Sequence, residues 1–416
     1  MNILTIRITE KRKKVRFEIK KLFSALFVWI SLIITALFAV FFTVSCISVR
    51  EQYGMYEKLL EDINKSSSDL QEQKDFILSK KSPLEEYVPD KVDELRSIAG
   101  EYGNTGWDDY ILYDKALSQL KYLKNFPNNR KKLISNALDC IVLENEKTEP
   151  NQSYINQNLF AAKKYNRIID LSFSDTGNVG KFMEFFDNTL WDYVMTALAV
   201  MLTVRMFTLD RGCKANKVVF SSSKCKSLFF KQLAACSAPL LGTVVFHTLL
   251  QMLCGTLFFG VKNYALPLQA ESIFEYCPFN LTIGGFIALK SLGKILFYFL
   301  IISFSALMSV VMKKQLPAIF TSLSAGIASI IISMNMYIFA SNENLGVASE
   351  ERIMFNNLRS FMPSCLLNPK EYFLSFDYIS IGGLYLSRLT GVMTVTAVIS
   401  VLCVLLAFRN YARAEK

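Results

Sequence analysis

The stretch LFSALFVWISLIITALFAVFFTVSCISV, residues 22–49, decides the fold class, because it runs for 28 residues without a charge. Seventeen of them are Leu, Ile, Phe or Val. Each such residue favours insertion near a helix centre by about 0.3–0.6 kcal/mol, so the sum, on the order of 5–10 kcal/mol, outweighs the Ser and Thr hydroxyls. A cleaved leader has a shorter apolar core, roughly 7–15 residues. Thr43 also stands where a lipoprotein cleavage site calls for an aliphatic residue. The segment reads as an uncleaved membrane anchor.

Five more apolar blocks follow, at 190–209, 233–260, 295–312, 317–340 and 378–408, the last clearest from residue 389. Each is near the ~20 residues that a helix rising 1.5 Å per residue needs to cross ~30 Å of hydrocarbon. Asp192 and Arg205 lie near the two ends of the second block. They are expected to reach the interface by extending along the helix. The whole chain agrees with this distribution: 416 residues, 52% hydrophobic, 33 Phe and a mean hydropathy of +0.28. The expected fold is an all-α membrane protein with six transmembrane helices.

The net charge of +10 gathers beside the ends of these blocks, which orients helices in a bilayer and argues against nucleic acid as a partner. With the N-terminus inside, the first 21 residues, 205–231, 313–314 and the tail from 409 hold 20 Lys and Arg, against 7 in the short outer connections 261–294 and 341–388. Both termini are therefore expected in the cytoplasm. Lys290 and Lys294 run against the trend and are assigned to an outer interfacial segment, 261–294. Residues 1–21 read as an interfacial helix on anionic lipid, with Ile8, Val15 and Ile19 at helical spacing among basic residues.

Residues 50–189 are polar and long enough for a domain, expected outside the membrane and mainly helical. Amphipathic pieces are predicted at 56–63, 68–79, 90–102, 117–123 and 130–143. Turn signals stand at Gly103-Asn104, Pro127-Asn128-Asn129 and Asp175-Thr176-Gly177. The acidic pairs Glu85-Glu86 and Asp108-Asp109 read as solvated surface. Cys140 is the domain's one cysteine, which excludes an internal disulfide. No metal-ligand spacing, nucleophile elbow or phosphate-binding loop occurs, since Gly293-Lys294 is followed by Ile295. No catalytic, cofactor or metal residue is assigned.

Between the second and third blocks lies a short basic loop, 210–232. Its marked residues are Asp210, Arg211, Gly212, Ser221, Ser222, Ser223, Lys224, Lys226 and Lys231. Such a loop can dock on a soluble partner beneath the membrane; an ordinary orienting loop has the same composition. His247, the only histidine, and Asn335 are the polar residues expected to bond between helices inside the bilayer. Residues 341–377 are too apolar for a free loop and too short to cross twice, so re-entry against neighbouring helices is expected. Gly284-Gly285 and Gly382-Gly383 are read as bends at the outer interface.

This organisation resembles the type-2 ABC exporter permeases, in layout along the whole chain and in one local series. In that family the second span is followed by an acidic residue, a glycine, a small-residue patch and a lysine entering the third helix. Asp210, Gly212, Ser221 to Ser223 and Lys231 are similar to that series, with Asp in place of the commoner Glu and the glycine closer to it. The resemblance implies a coupling loop that sits on a separate ABC ATPase subunit, which binds ATP and Mg. It also implies a second permease copy or paralogue and, with the large outer domain, export of an amphiphilic substrate such as a peptide, lipid or drug-like molecule. The chain itself is then a transport subunit and not an enzyme. The competing expectations are a membrane-anchored sensor whose outer domain binds a ligand, and a four-span exporter or mechanotransmission subunit.

Overall fold

The computed structural model describes residues 58–85, 105–168, 190–212, 225–341 and 361–413 with short gaps, together with Val179, Phe182, Met183 and Leu358. The first span, the interfacial helix, the 90–102 piece and the Asp175-Thr176-Gly177 turn lie outside the described residues. What is described is mostly helical. Three helices belong to the polar domain: α1 Leu70–Glu85, α2 Thr105–Asn145 and α3 Gln152–Tyr165. Five form a bundle: α4 Leu190–Gly212, α5 Cys225–Phe258, α6 Ile283–Met312, α7 Gln315–Ser341 and α8 Arg388–Arg413.

Four of these, α5 to α8, are long and apolar enough to cross a membrane. Their outer surfaces show why lipid is the matching solvent. Phe246, Leu249, Leu253 and Leu257 form a helically spaced exposed stripe on α5, and Val395, Val398, Leu402 and Leu405 do so on α8. Water-soluble proteins rarely leave contiguous apolar faces of this kind uncovered. Helix α6 is the centre of the bundle, with 56% of its most apolar stretch buried against 33% in α5 and 28% in α7 and α8. Small residues let its neighbours approach: Ser303, Ser305 and Ser309 on α6 and Thr396 and Ser400 on α8 are buried. The hydroxyls of Ser303, Ser309 and Ser400 are satisfied by the carbonyl four residues back.

Several boundaries differ from expectation, each for a local reason. Helix α6 begins at residue 283, not 295, because Thr282 caps it and accepts the Gly285 N–H at 3.0 Å. Gly284-Gly285 therefore start a helix, where the missing side chain lets Gly284 donate to the Tyr264 carbonyl at 2.8 Å. Residues 378–387 are not helical. They form an antiparallel hairpin, β1 Tyr378–Ile381 and β2 Leu384–Ser387, with Ile381 paired to Leu384 across Gly382-Gly383. The Tyr- and Ile-bearing runs YISI and LYLS on either side of a Gly pair suit the strands of a hairpin. Helices α6 and α7 are joined by Lys313 and Lys314 alone, with Lys313 left-handed at φ 58°.

In the domain, the Pro127-Asn128-Asn129 turn signal is overridden: α2 runs straight through it. Proline's lost hydrogen bond and its clash cost about 3 kcal/mol. Packing offsets this, since Phe126 is buried with Ala161, Tyr165 and Ile168, and Tyr122 joins from one turn earlier. Leu59, Ile63, Ile77, Ala116, Leu117 and Leu120 form a second small core. Helix α3 is capped by Asn151, whose Oδ1 accepts the Ser153 and Tyr154 amides at 3.1 and 3.2 Å. Asn151 is held in turn by Glu144, which accepts its N–H at 3.0 Å and the Lys147 ammonium at 2.7 Å.

The Lys147 side chain, then the Asn151 amide, hold the Glu144 carboxyl below the usual carboxylate range. A lowered folded value means this stabilisation is complete above the ordinary pKa and is lost as pH falls through the lowered one. Asn151→Ala is expected to cost about 0.5–2 kcal/mol. Hydrogen exchange at Ser153 and Tyr154 checks it, and the protection should weaken on acidification in the native chain but not in a Glu144→Gln variant.

Candidate functional site: a buried polar cluster and the domain junction

Trp191 and Asp192 open α4, and both are buried. Asp192 was expected to reach the membrane interface. It instead faces α6, where Lys294 Nζ lies 2.8 Å from its Oδ1 and the Tyr298 hydroxyl donates to the same oxygen at 2.7 Å. The side chains of Lys294 and Asp192 are only 7% and 3% exposed, so this pair is removed from water. Its position in the first turn of α4 also sets the carboxylate at the positive end of the helix dipole. Lys290, one turn before Lys294, is 1% exposed. The expected placement of both lysines on an outer interfacial segment is thus corrected: they are inside α6 and inside the bundle.

The sole histidine belongs to the same neighbourhood. His247 on α5 stacks on Trp191 with centroids 4.0 Å apart and planes at 8°. Gln251, one turn on, is buried, and Thr248 shares a hydrogen bond of 2.8 Å with Ser291 of α6. The polar seam therefore ties α4, α5 and α6 at one level. No group of three His, Cys, Asp or Glu that could hold a metal exists among the described residues. The arrangement is an interhelical latch: a buried ion pair with a phenol donor and an aromatic stack. Charged groups buried this fully are costly unless paired, and here Asp192 and Lys294 offset one another.

Above the latch, the domain is fixed to the connection between α5 and α6. Tyr122 donates to the Gln269 carbonyl at 2.6 Å, Asn129 to Glu275 at 2.5 Å, and Tyr165 to the Tyr276 carbonyl at 2.9 Å. The connection is itself stiff. Leu268 N–H meets the Leu281 carbonyl at 2.7 Å, and the Gln269 amide donates to the carbonyls of Cys277 and Phe279 at 3.0 and 2.7 Å. Burial, then the carboxylates of Glu275 and Glu271, push the Tyr122 hydroxyl far above its ordinary range, and burial pushes the Cys277 thiol up to about 12. Both stay protonated at any physiological pH.

A third element is the segment after α7. The 3-10 turns Pro363–Leu367 and Pro369–Phe373 bury Cys365, Leu366, Leu367, Tyr372 and Phe373 among the bundle helices. Ser364 donates to the Ser329 carbonyl at 2.9 Å, twelve residues before the end of α7. At 1.5 Å per residue that is a depth of about 18 Å below the helix end.

The sequence-marked residues are only partly brought together. Asp210, Arg211 and Gly212 are the last three residues of α4, so the connection to α5 is shorter than expected. Ser221, Ser222, Ser223 and Lys224 lie outside the described residues, while Lys226 and Lys231 are in the first turns of α5. Lys231 adjoins Gln232, which accepts from Tyr411 of α8 at 3.2 Å. Asn335 is exposed on α7 and has no partner among the described residues. The latch was missed, although Lys290, Lys294 and Tyr298 recur at a spacing of four on an apolar helix, which is a legible polar stripe. Comparison with known proteins gives no match, whether to a family model, a curated protein or a solved structure.

Proposed function

We propose that this chain is the membrane-spanning subunit of a type-2 ABC exporter, moving an amphiphilic substrate with energy from a separate ATPase that binds ATP and Mg. It pairs with a second copy or a paralogue, keeps both termini in the cytoplasm and presents residues 50–189 outside. One observation carries the reading: α5 is a single 34-residue helix leading from the basic 213–224 connection to the loop that bears the domain. At 1.5 Å per residue it is about 50 Å long, more than the ~30 Å hydrocarbon layer, so it links the two membrane faces.

The ends of the helices support the same orientation. Phe207 of α4, Phe229 of α5 and Tyr411 of α8 pack edge-on and tilted against one another at the end of the bundle that carries Arg205, Lys231 and Arg409. Aromatic and basic residues gathered at one end match a cytoplasmic interface. A push on that end tilts α5 and reaches the latch at His247 and the domain junction beyond it. The binding energy of the ATPase supplies the shift between two bundle states.

The test is co-purification from mild detergent followed by reconstitution. An ATPase should accompany the chain, and Lys224→Glu with Lys226→Glu should abolish ATP-dependent movement of a fluorescent amphiphile. Full transport by the charge-reversed protein, or by the chain without any ATPase, overturns the proposal.

A further inference from the structure

A cleft of about 440 Å³ opens where the domain meets the bundle. That volume falls in the range of sites that hold small organic ligands. Its two sides differ in chemistry. The domain contributes Lys164, in the last turn of α3, and Arg167 just beyond it. The bundle contributes an apolar wall of Leu281, Leu289, Phe373, Leu389 and Met393. No acidic side chain lines it among the described residues.

The charges are available to a ligand. Lys164 lies 5.2 Å over the Phe160 ring, and neither it nor Arg167 has an ion pair among the described residues. The floor adds a third positive element, the start of the 26-residue helix α8. There Ser387 accepts the Thr390 N–H at 3.2 Å, and the hydroxyls of the two residues are 2.8 Å apart. Basic side chains on one side, a helix N-terminus beneath and an aliphatic wall opposite are complementary to one ligand type: a negatively charged headgroup carrying a hydrocarbon tail. Three of the five wall residues, Leu289, Leu389 and Met393, belong to α6 and α8, both long and apolar enough to cross a membrane, so a tail can reach the wall from the bilayer.

We propose that this cleft binds an anionic phospholipid of the outer leaflet, its phosphate against Lys164 and Arg167 and an acyl chain along Leu289, Leu389 and Met393. The proposal rests on the orientation given above and narrows the amphiphile class to anionic, phosphate-headed lipid.

The experiment uses the purified full-length chain without ATPase, so its outcome is independent of whether an ATPase assembles. Phosphatidylglycerol with a photoactivatable tail is compared with phosphatidylcholine carrying the same tail. The expected result is preferential labelling of the 389–393 peptide by phosphatidylglycerol. Lys164→Gln with Arg167→Gln should reduce that labelling about thirtyfold, from the lost charge of two basic residues near an anionic headgroup. Met393→Trp, which fills the apolar side and leaves the charges alone, should block labelling as well. Equal labelling by both lipids, or labelling unchanged in either variant, overturns the proposal. Complete competition by glycerol phosphate also overturns it, because the headgroup alone is then the ligand. No preferential labelling of the native chain, alongside intact ATP-dependent transport by the reconstituted complex, removes the cleft and leaves the exporter reading standing.

Discussion

Asp192→Ala is expected to lower stability by about 3–5 kcal/mol, the cost of stranding a buried partner charge. The native carboxylate oxygen is met by Lys294 at 2.8 Å and by the Tyr298 hydroxyl at 2.7 Å. Removing it leaves an ammonium that is 7% exposed without its counter-charge, one turn from the buried Lys290. Asp192→Asn keeps an acceptor and should fall between the two. The double change Asp192→Leu with Lys294→Met removes both charges, and buried ion pairs replaced by apolar residues are neutral or up to about 4 kcal/mol more stable. Thermal unfolding in detergent of the single and double variants checks this as a cycle. If the double variant were less stable than either single one, the ion pair would not be the cause. Transport by the double variant then separates roles. A stable bundle that no longer transports identifies the latch as part of the moving machinery.

The second large effect is expected at Gly293. A methyl group added there would sit 2.6 Å from the carbonyl oxygen of Leu366, a backbone atom of the buried 363–367 turn. That oxygen cannot rotate away as a side chain would. Alanine in a helix interior gains about 0.5–1 kcal/mol over glycine. Overpacking a full core costs about 1–3 kcal/mol, so the clash wins. Gly293→Val is worse, since its branched carbon adds volume at the same place. The readout is thiol labelling of Cys365, a buried cysteine outside any disulfide and 3.2 Å from the Ser333 hydroxyl. Both variants should expose it, with Cys236 and Cys254 as buried internal controls. Unchanged Cys365 reactivity in both would show that the turn does not depend on this contact.

The two sites also show what sequence makes legible. Helices α5 to α8 were readable because lipid imposes a long uninterrupted apolar run. The true start of α6 was not. Lys290 and Lys294 look like surface residues, and the carboxylate that makes Lys294 tolerable inside lies 102 positions earlier. The spacing of four marks a polar stripe on α6, but nothing local names Asp192 as its partner. The 378–387 hairpin carried its own signal, two short apolar runs on either side of Gly382-Gly383, but the apolar block beyond it absorbed the reading. Pro127 misled in the other direction: a proline is a reliable breaker until aromatic packing such as that of Phe126 outweighs it. In the 261–282 connection the Gln269 side chain ties two carbonyls 8 and 10 residues on, a contact which composition does not reveal.

The junction at Lys313 and Lys314 has a mechanical corollary. Two residues leave no slack, and the left-handed backbone at Lys313 stores about 1–2 kcal/mol that a glycine would not. The adjoining ends of α6 and α7 therefore cannot separate, and Lys294 and the Ser329 anchor of the 363–367 turn lie on helices tied at that point. If the bundle moves in transport as proposed, the seams with α4, α5 and α8 are where relative movement is easiest.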